Sequence, residues 1–112
     1  LWKTKLNNAD LENSSFVGTD NYYSEFRKSN LKNADFQSSY LTNVDFTDAD
    51  LTSVNLLYVY PVDSIFDNTI LKNAKINTCL EHDIFSRILN KILRSIEGLN
   101  SEFFEKLIIS VC

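Results

Sequence analysis

Residues five apart share one character from Leu1 to Ile76, and nothing else in the sequence narrows the fold so far. Every fifth residue from position 1 reads Leu1, Leu6, Leu11, Phe16, Asn21, Phe26, Leu31, Phe36, Leu41, Phe46, Leu51, Leu56, Pro61, Phe66, Leu71 and Ile76; only Asn21 and Pro61 are not large and apolar. The residues two places earlier, from Thr4 and Ala9 to Thr69 and Ala74, are all small or β-branched. A helix repeats its apolar positions every 3.6 residues and a strand every 2. A sustained period of five with two inward positions fits neither, but it fits a solenoid whose chain turns a corner every five residues.

The other three positions are mostly Asn, Asp, Lys, Ser and Thr, as in Ala34-Asp35-Phe36-Gln37-Ser38 and Ala49-Asp50-Leu51-Thr52-Ser53. This pattern resembles the pentapeptide-repeat family, whose motif is written A(D/N)LXX, and the resemblance runs over residues 1–78 without a register slip. It implies a mainly β fold: a right-handed, four-sided β-helix of just under four coils, with the central and the small residue of each pentapeptide pointing inward. The expected structural core is then Leu6, Leu11, Phe16, Phe26, Leu31, Phe36, Leu41, Phe46, Leu51, Leu56, Phe66, Leu71 and Ile76. Residues twenty apart should stack, giving ladders such as Leu11, Leu31, Leu51, Leu71 and Leu6, Phe26, Phe46, Phe66. The Phe/Leu alternation also suits a ten-residue repeat, so the fourfold count comes from the resemblance.

After Asn77 the period changes. Ile84, Phe85, Ile88, Leu89, Ile92, Leu93 and Ile96 recur at helical spacing behind a capping-box pattern, Thr78-Cys79-Leu80-Glu81, and Gly98 supplies a stop. Asn100 or Ser101 can cap a second helix carrying Phe103, Phe104, Leu107, Ile108 and Val111. Residues 79–112 are therefore expected to form an α-helical hairpin that caps the coil within one folding unit, because a bare solenoid end exposes its core and unpaired strand edges. The same helices offer a route to a homodimer, as the C-terminal ends of some family members do. Cys79 and Cys112 would meet at the open end of the hairpin. A disulfide there resembles those of family members from the thylakoid lumen or periplasm; two reduced thiols would instead fit the cytoplasm.

Composition limits the function classes. The net charge of −4, with no Lys/Arg cluster, argues against a nucleic-acid-binding surface, which needs a basic patch to displace counterions. No apolar run approaches the roughly 20 residues of a membrane-crossing helix, so no membrane insertion is expected. Gly 2 and Pro 1 are few for a protein built from hairpins. The chain opens at Leu1 with no leader pattern, as expected of a processed chain or a segment of a longer one.

No set of side chains converges on chemistry. The single histidine, His82, sits between Glu81 and Asp83, and one His with two cysteines is no recognisable metal set. No cofactor and no catalytic residue are expected. Asp10, Asn30 and Asp50 should align on one face, and Glu25 and Asp45 on another, but on an open wall where carboxylates are solvated rather than poised for acid–base work.

The face carrying Leu1, Asn21, Leu41 and Pro61 departs from the motif twice, and its outward positions are aromatic. Trp2, Tyr22, Tyr23, Tyr40, Tyr58 and Tyr60 gather there, with Leu57 and Val62 nearby. One reading is a partner-binding surface, since Tyr and Trp combine contact area with a polar handle; the other is that stacked rings merely tie neighbouring coils together. The expected function is a non-catalytic interaction or structural module, alone or as one subunit of an assembly. The alternative comes from the resemblance: acidic pentapeptide rods mimic DNA and bind type II topoisomerases, protecting them from quinolones or inhibiting them. Fewer than four coils at about 4.8 Å each give a rod under about 20 Å, short for such mimicry.

Overall fold

The chain turns every five residues because every fifth residue takes a backbone conformation that turns it. A computed structural model of the chain describes residues 1–77 and 108–110. From Lys3 to Asn73 each fifth residue has a positive φ, between 53° and 66°, which a type II turn requires at its third position. An amide-to-carbonyl bond closes most of the turns, as in Ala34 N to Leu31 O at 3.0 Å. Asn is frequent at these corners (Asn8, Asn13, Asn33, Asn43, Asn68, Asn73) because its short polar side chain tolerates the left-handed region.

The Asp or Asn before each central residue has a local task. Asp50 Oδ1 accepts from Thr52 N at 3.0 Å and Thr52 Oγ1 at 2.6 Å; Asp35 accepts from Gln37 N and Asn55 from Leu57 N in the same way. The carboxylate or amide thus satisfies an amide that the corner leaves free.

Coil joins coil through parallel bridges between residues twenty apart, from Lys5↔Glu25 to Asn55↔Lys75. Four corners in each twenty-residue coil make it four-sided, which excludes the ten-residue alternative. Central-residue amides donate one coil ahead (Leu31 N to Asp50 O, 2.8 Å), while amides just before them donate one coil back (Asp50 N to Ser29 O, 3.0 Å). Pro61 cannot make the forward bond, and its place in the last coil is where that loss matters least.

Phenylalanines from opposite faces fill the interior. Phe26, Phe46 and Phe66 stack in one column and Phe16 and Phe36 in the other, and rings of the two columns meet edge to face, Phe36 against Phe46 at 5.7 Å and 90°. Leu31, Leu51 and Leu71 face Leu41 from the other two sides, and all are buried with Leu56. Leu6, Leu11 and Ile76, in the end coils, are only part-buried against this cluster.

Among the fully buried polar residues Asn21 is the largest and, like Ser39, has an unpartnered polar atom. It is 0% exposed; its Nδ2 donates to Thr19 Oγ1 at 2.8 Å, but its Oδ1 has no partner. A buried acceptor left unpaired costs more than its replacement by an apolar group of similar shape. Thr19 would keep its own bond to Phe16 O, 2.6 Å. Asn21→Leu is therefore expected to raise stability by about 1–2 kcal/mol; a urea titration giving an unchanged or lower midpoint would refute this.

At the C-terminal end, β1 (Lys75–Asn77) pairs in parallel with β2 (Ile108–Ser110) in the register Lys75↔Ile108, Ile76↔Ile109, Asn77↔Ser110. β2 thus takes the place of the next rung on that one face. The sequence expectation is corrected here, since it places Ile108 on the second helix of the hairpin. Consecutive β-branched residues suit a strand, and the open edge of the last coil offers groups to pair with. The rest of the expected hairpin, with Cys79, His82 and Cys112, lies outside the described residues, among which there is no α-helix.

Candidate interaction surface

The two kinds of large aromatic residue are sorted by side. Every described Phe points into the coil, whereas all five Tyr and the single Trp lie on one face or its bordering corners. The phenol and indole need a polar contact that a dry interior cannot offer, so their outward placement follows from chemistry. Their restriction to one of four faces does not.

That face is built from four successive rungs. Asp20, Tyr40 and Tyr60 form one outward column through the bridges Asp20↔Tyr40 and Tyr40↔Tyr60. Trp2, Tyr22, Thr42 and Val62 form the other, held in register by bonds such as Lys3 N to Tyr22 O and Asn43 N to Val62 O, both 2.9 Å. Each rung carries one aromatic: Trp2, then Tyr22, then Tyr40, then Tyr60. Tyr40 and Tyr60 stack at 4.9 Å and 13°, and Tyr22 leans on Tyr40 at 6.1 Å and 38°. Beneath them lie the buried Asn21, Leu41 and Pro61.

Tyr23 and Tyr58 occupy the two corners bordering the face, at φ 60° and 59°. The left-handed region costs a bulky L-residue roughly 1–2 kcal/mol. Outside Tyr22, which is half-buried, the group is between 40% and 71% exposed, so burial does not repay that cost. The structure therefore brings the six sequence-selected aromatics to one side of the coil, four on the face itself and two at its edges.

Sequence reasoning missed Ile65 and Ile70, which are 41% and 51% exposed on two other faces of the last coil. They stand where the motif has Asp or Asn, so loss of the Asx residue was the available signal. The charged residues behave as a solvated wall. Asn30 Nδ2 bridges to Asp10 Oδ1 at 3.1 Å, and Lys32 and Arg27 lie 3.8 Å and 3.7 Å from Asp50 and Asp45. Among the described residues no group of three or more His, Cys, Asp or Glu is placed to hold a metal ion.

The family model for the pentapeptide repeat region matches residues 1–60. Among solved structures, the chain is similar to a pentapeptide repeat protein, Rfr23, from the cyanobacterium Cyanothece 51142, at 22% identity over 69% of this chain and 49% of that one, TM-score 0.49. It is also similar to a pentapeptide repeat protein of the Arabidopsis thaliana thylakoid lumen, at 17% identity over 88% of this chain and 81% of that one, TM-score 0.40. A third is QnrB1, a plasmid-mediated fluoroquinolone resistance protein, at 16% identity over 68% of this chain and 51% of that one, TM-score 0.41. The chain spans about half the length of the first and third of these. No curated protein matches it.

Proposed function

The chain belongs to the pentapeptide-repeat family, whose members fold as right-handed β-helices, and on that premise we propose that it is a non-catalytic interaction module presenting its tyrosine face to a protein partner. One observation carries this reading: all five Tyr and the single Trp are gathered on one side of a four-sided coil, two of them at corners whose backbone disfavours them. Stacking between coils explains Tyr22, Tyr40 and Tyr60, but not the exposed corner residue Tyr23.

The DNA-mimic alternative has less support. A surrogate for a polyphosphate needs one sign of charge along its length, whereas this coil mixes acids with bases, two of which lie beside acids, Arg27 by Asp45 and Lys32 by Asp50.

Tyr40→Ser/Tyr60→Ser is the test. Affinity capture from the native source with the parent chain and with the double variant, read by mass spectrometry, should show a partner lost from the variant. A melting curve recorded beside it should show only a modest loss, about 1–2 kcal/mol for one stacked pair. Retention of every captured partner would leave the rings a structural role only.

A further inference from the structure

We propose that the tyrosine face binds a proline-rich segment in the polyproline II conformation; this rests on the interaction-module reading above and gives its partner a chemistry. The choice follows from which parts of the rings are presented. Tyr40 and Tyr60 turn their faces to each other at 4.9 Å and 13°, so outward they offer ring edges and hydroxyls. Ring edges are the positive side of the aromatic quadrupole and favour oxygen acceptors. Tyr hydroxyls and the Trp2 indole N–H are donors. The face is thus a row of donors on an apolar bed.

Charge and size remove other occupants. The two outward columns hold no cation, and their one ionic group is Asp20, so anionic and nucleic-acid partners meet nothing that attracts phosphate. Sugars pack their C–H groups on open ring faces, which the Tyr40–Tyr60 stack covers. Four rungs at about 4.8 Å span about 14 Å, and a strip that long and about 10 Å wide falls well short of the roughly 800 Å² per side typical of a stable dimer. The occupant is therefore narrow and uncharged, and it brings free carbonyls.

A polyproline II segment has these properties. It has no internal hydrogen bonds, so its carbonyls stay available, and its pyrrolidine rings are apolar. It rises about 3.1 Å per residue with three residues per turn, so residues i and i+3 lie about 9.3 Å apart. Two rungs of the coil lie about 9.6 Å apart. Trp2 and Tyr40, like Tyr22 and Tyr60, are two rungs apart but in opposite columns, so a segment crossing the face obliquely meets both rings of a pair. About five residues cover the face, and little ordering entropy is lost because the ligand is already extended.

Trp2, the only tryptophan, reports binding directly. Titration of the protein with a decaproline peptide should give a saturable change in Trp fluorescence, with a Kd on the order of 0.1 mM for so small a contact. A Gly-Ser peptide of equal length should give none. Tyr40→Phe/Tyr60→Phe keeps the stack and removes two donors, and is expected to weaken decaproline binding at least fivefold, whereas Tyr40→Ser/Tyr60→Ser should abolish it. No saturable change up to about 1 mM, equal response to the Gly-Ser peptide, or an unchanged Kd in the Phe variant would each overturn the proposal. Should decaproline fail while partner capture still depends on Tyr40 and Tyr60, the interaction reading stands and the polyproline chemistry falls; should both fail, the face is structural.

Discussion

Leu51→Asp is expected to abolish cooperative folding at neutral pH. Leu51 is 0% exposed in the third coil, with Leu31 and Leu71 below and above it on the same inward ladder. An ionised carboxylate placed there meets no cation, and its desolvation cost exceeds the 5–15 kcal/mol that holds a domain of this size together. Leu51→Ala, which removes the same methyl groups without adding a charge, should cost about 2–5 kcal/mol and leave a folded protein. The gap between the two variants measures the charge rather than the cavity. Burial would raise the carboxyl pKa above its unfolded value near 3.9, so the penalty grows as pH climbs past that value and shrinks below it. The Asp variant should accordingly regain structure on acidification relative to pH 7. A urea transition at pH 7 matching that of the parent would mean that position 51 does not face a dry interior, and the whole inward pattern would fall with it.

The period of five was legible because inward positions on a solenoid recur with the corners and not with any hydrogen-bonded helix or strand. Leu51, Phe46 and their neighbours could be placed from spacing alone. The burial gradient could not, since Leu6, Leu11 and Ile76 carry the same motif as Leu51 and differ only in having a coil on one side. Corner geometry was half legible. Asn at positions such as 8, 33 and 43 signals a left-handed turn, but Tyr23 and Tyr58 hide the same conformation under a residue that disfavours it. The aromatic side of the coil followed from the twenty-residue spacing of Trp2 and Tyr22 and of Tyr40 and Tyr60. The lean of Tyr22 onto Tyr40 is a rotamer choice with no sequence signal. β2 was missed because Leu107, Ile108 and Val111 satisfy a helical spacing as well as a strand, and what selects the strand is an edge supplied by Lys75–Asn77, far away in sequence.

Phe46→Ala should cost about 3–5 kcal/mol, and more than Phe16→Ala, although both delete the same side chain. Phe46 is 0% exposed and touches three rings: Phe26 at 5.4 Å and Phe66 at 5.3 Å in its own column, and Phe36 edge-on at 5.7 Å from the opposite one. Phe16, at 8% exposure in the first coil, touches two, Phe26 and Phe36. Each ring pair contributes about 0.5–1.5 kcal/mol beyond area burial, and a cavity closed above and below collapses less readily than one at an end. The Phe46 variant should therefore exceed the Phe16 variant by about 1–2 kcal/mol. A double-mutant cycle on Phe26 and Phe46 should return a coupling of about 0.5–1.5 kcal/mol. The same cycle on Phe16 and Phe66, which share no ring contact, should return almost none. Equal single costs with no Phe26–Phe46 coupling would show the rings packing as independent fillers. An ordered array predicts the opposite: stability rises toward the middle of the stack, where Leu41 and Phe46 lie beside the rung that carries Tyr40.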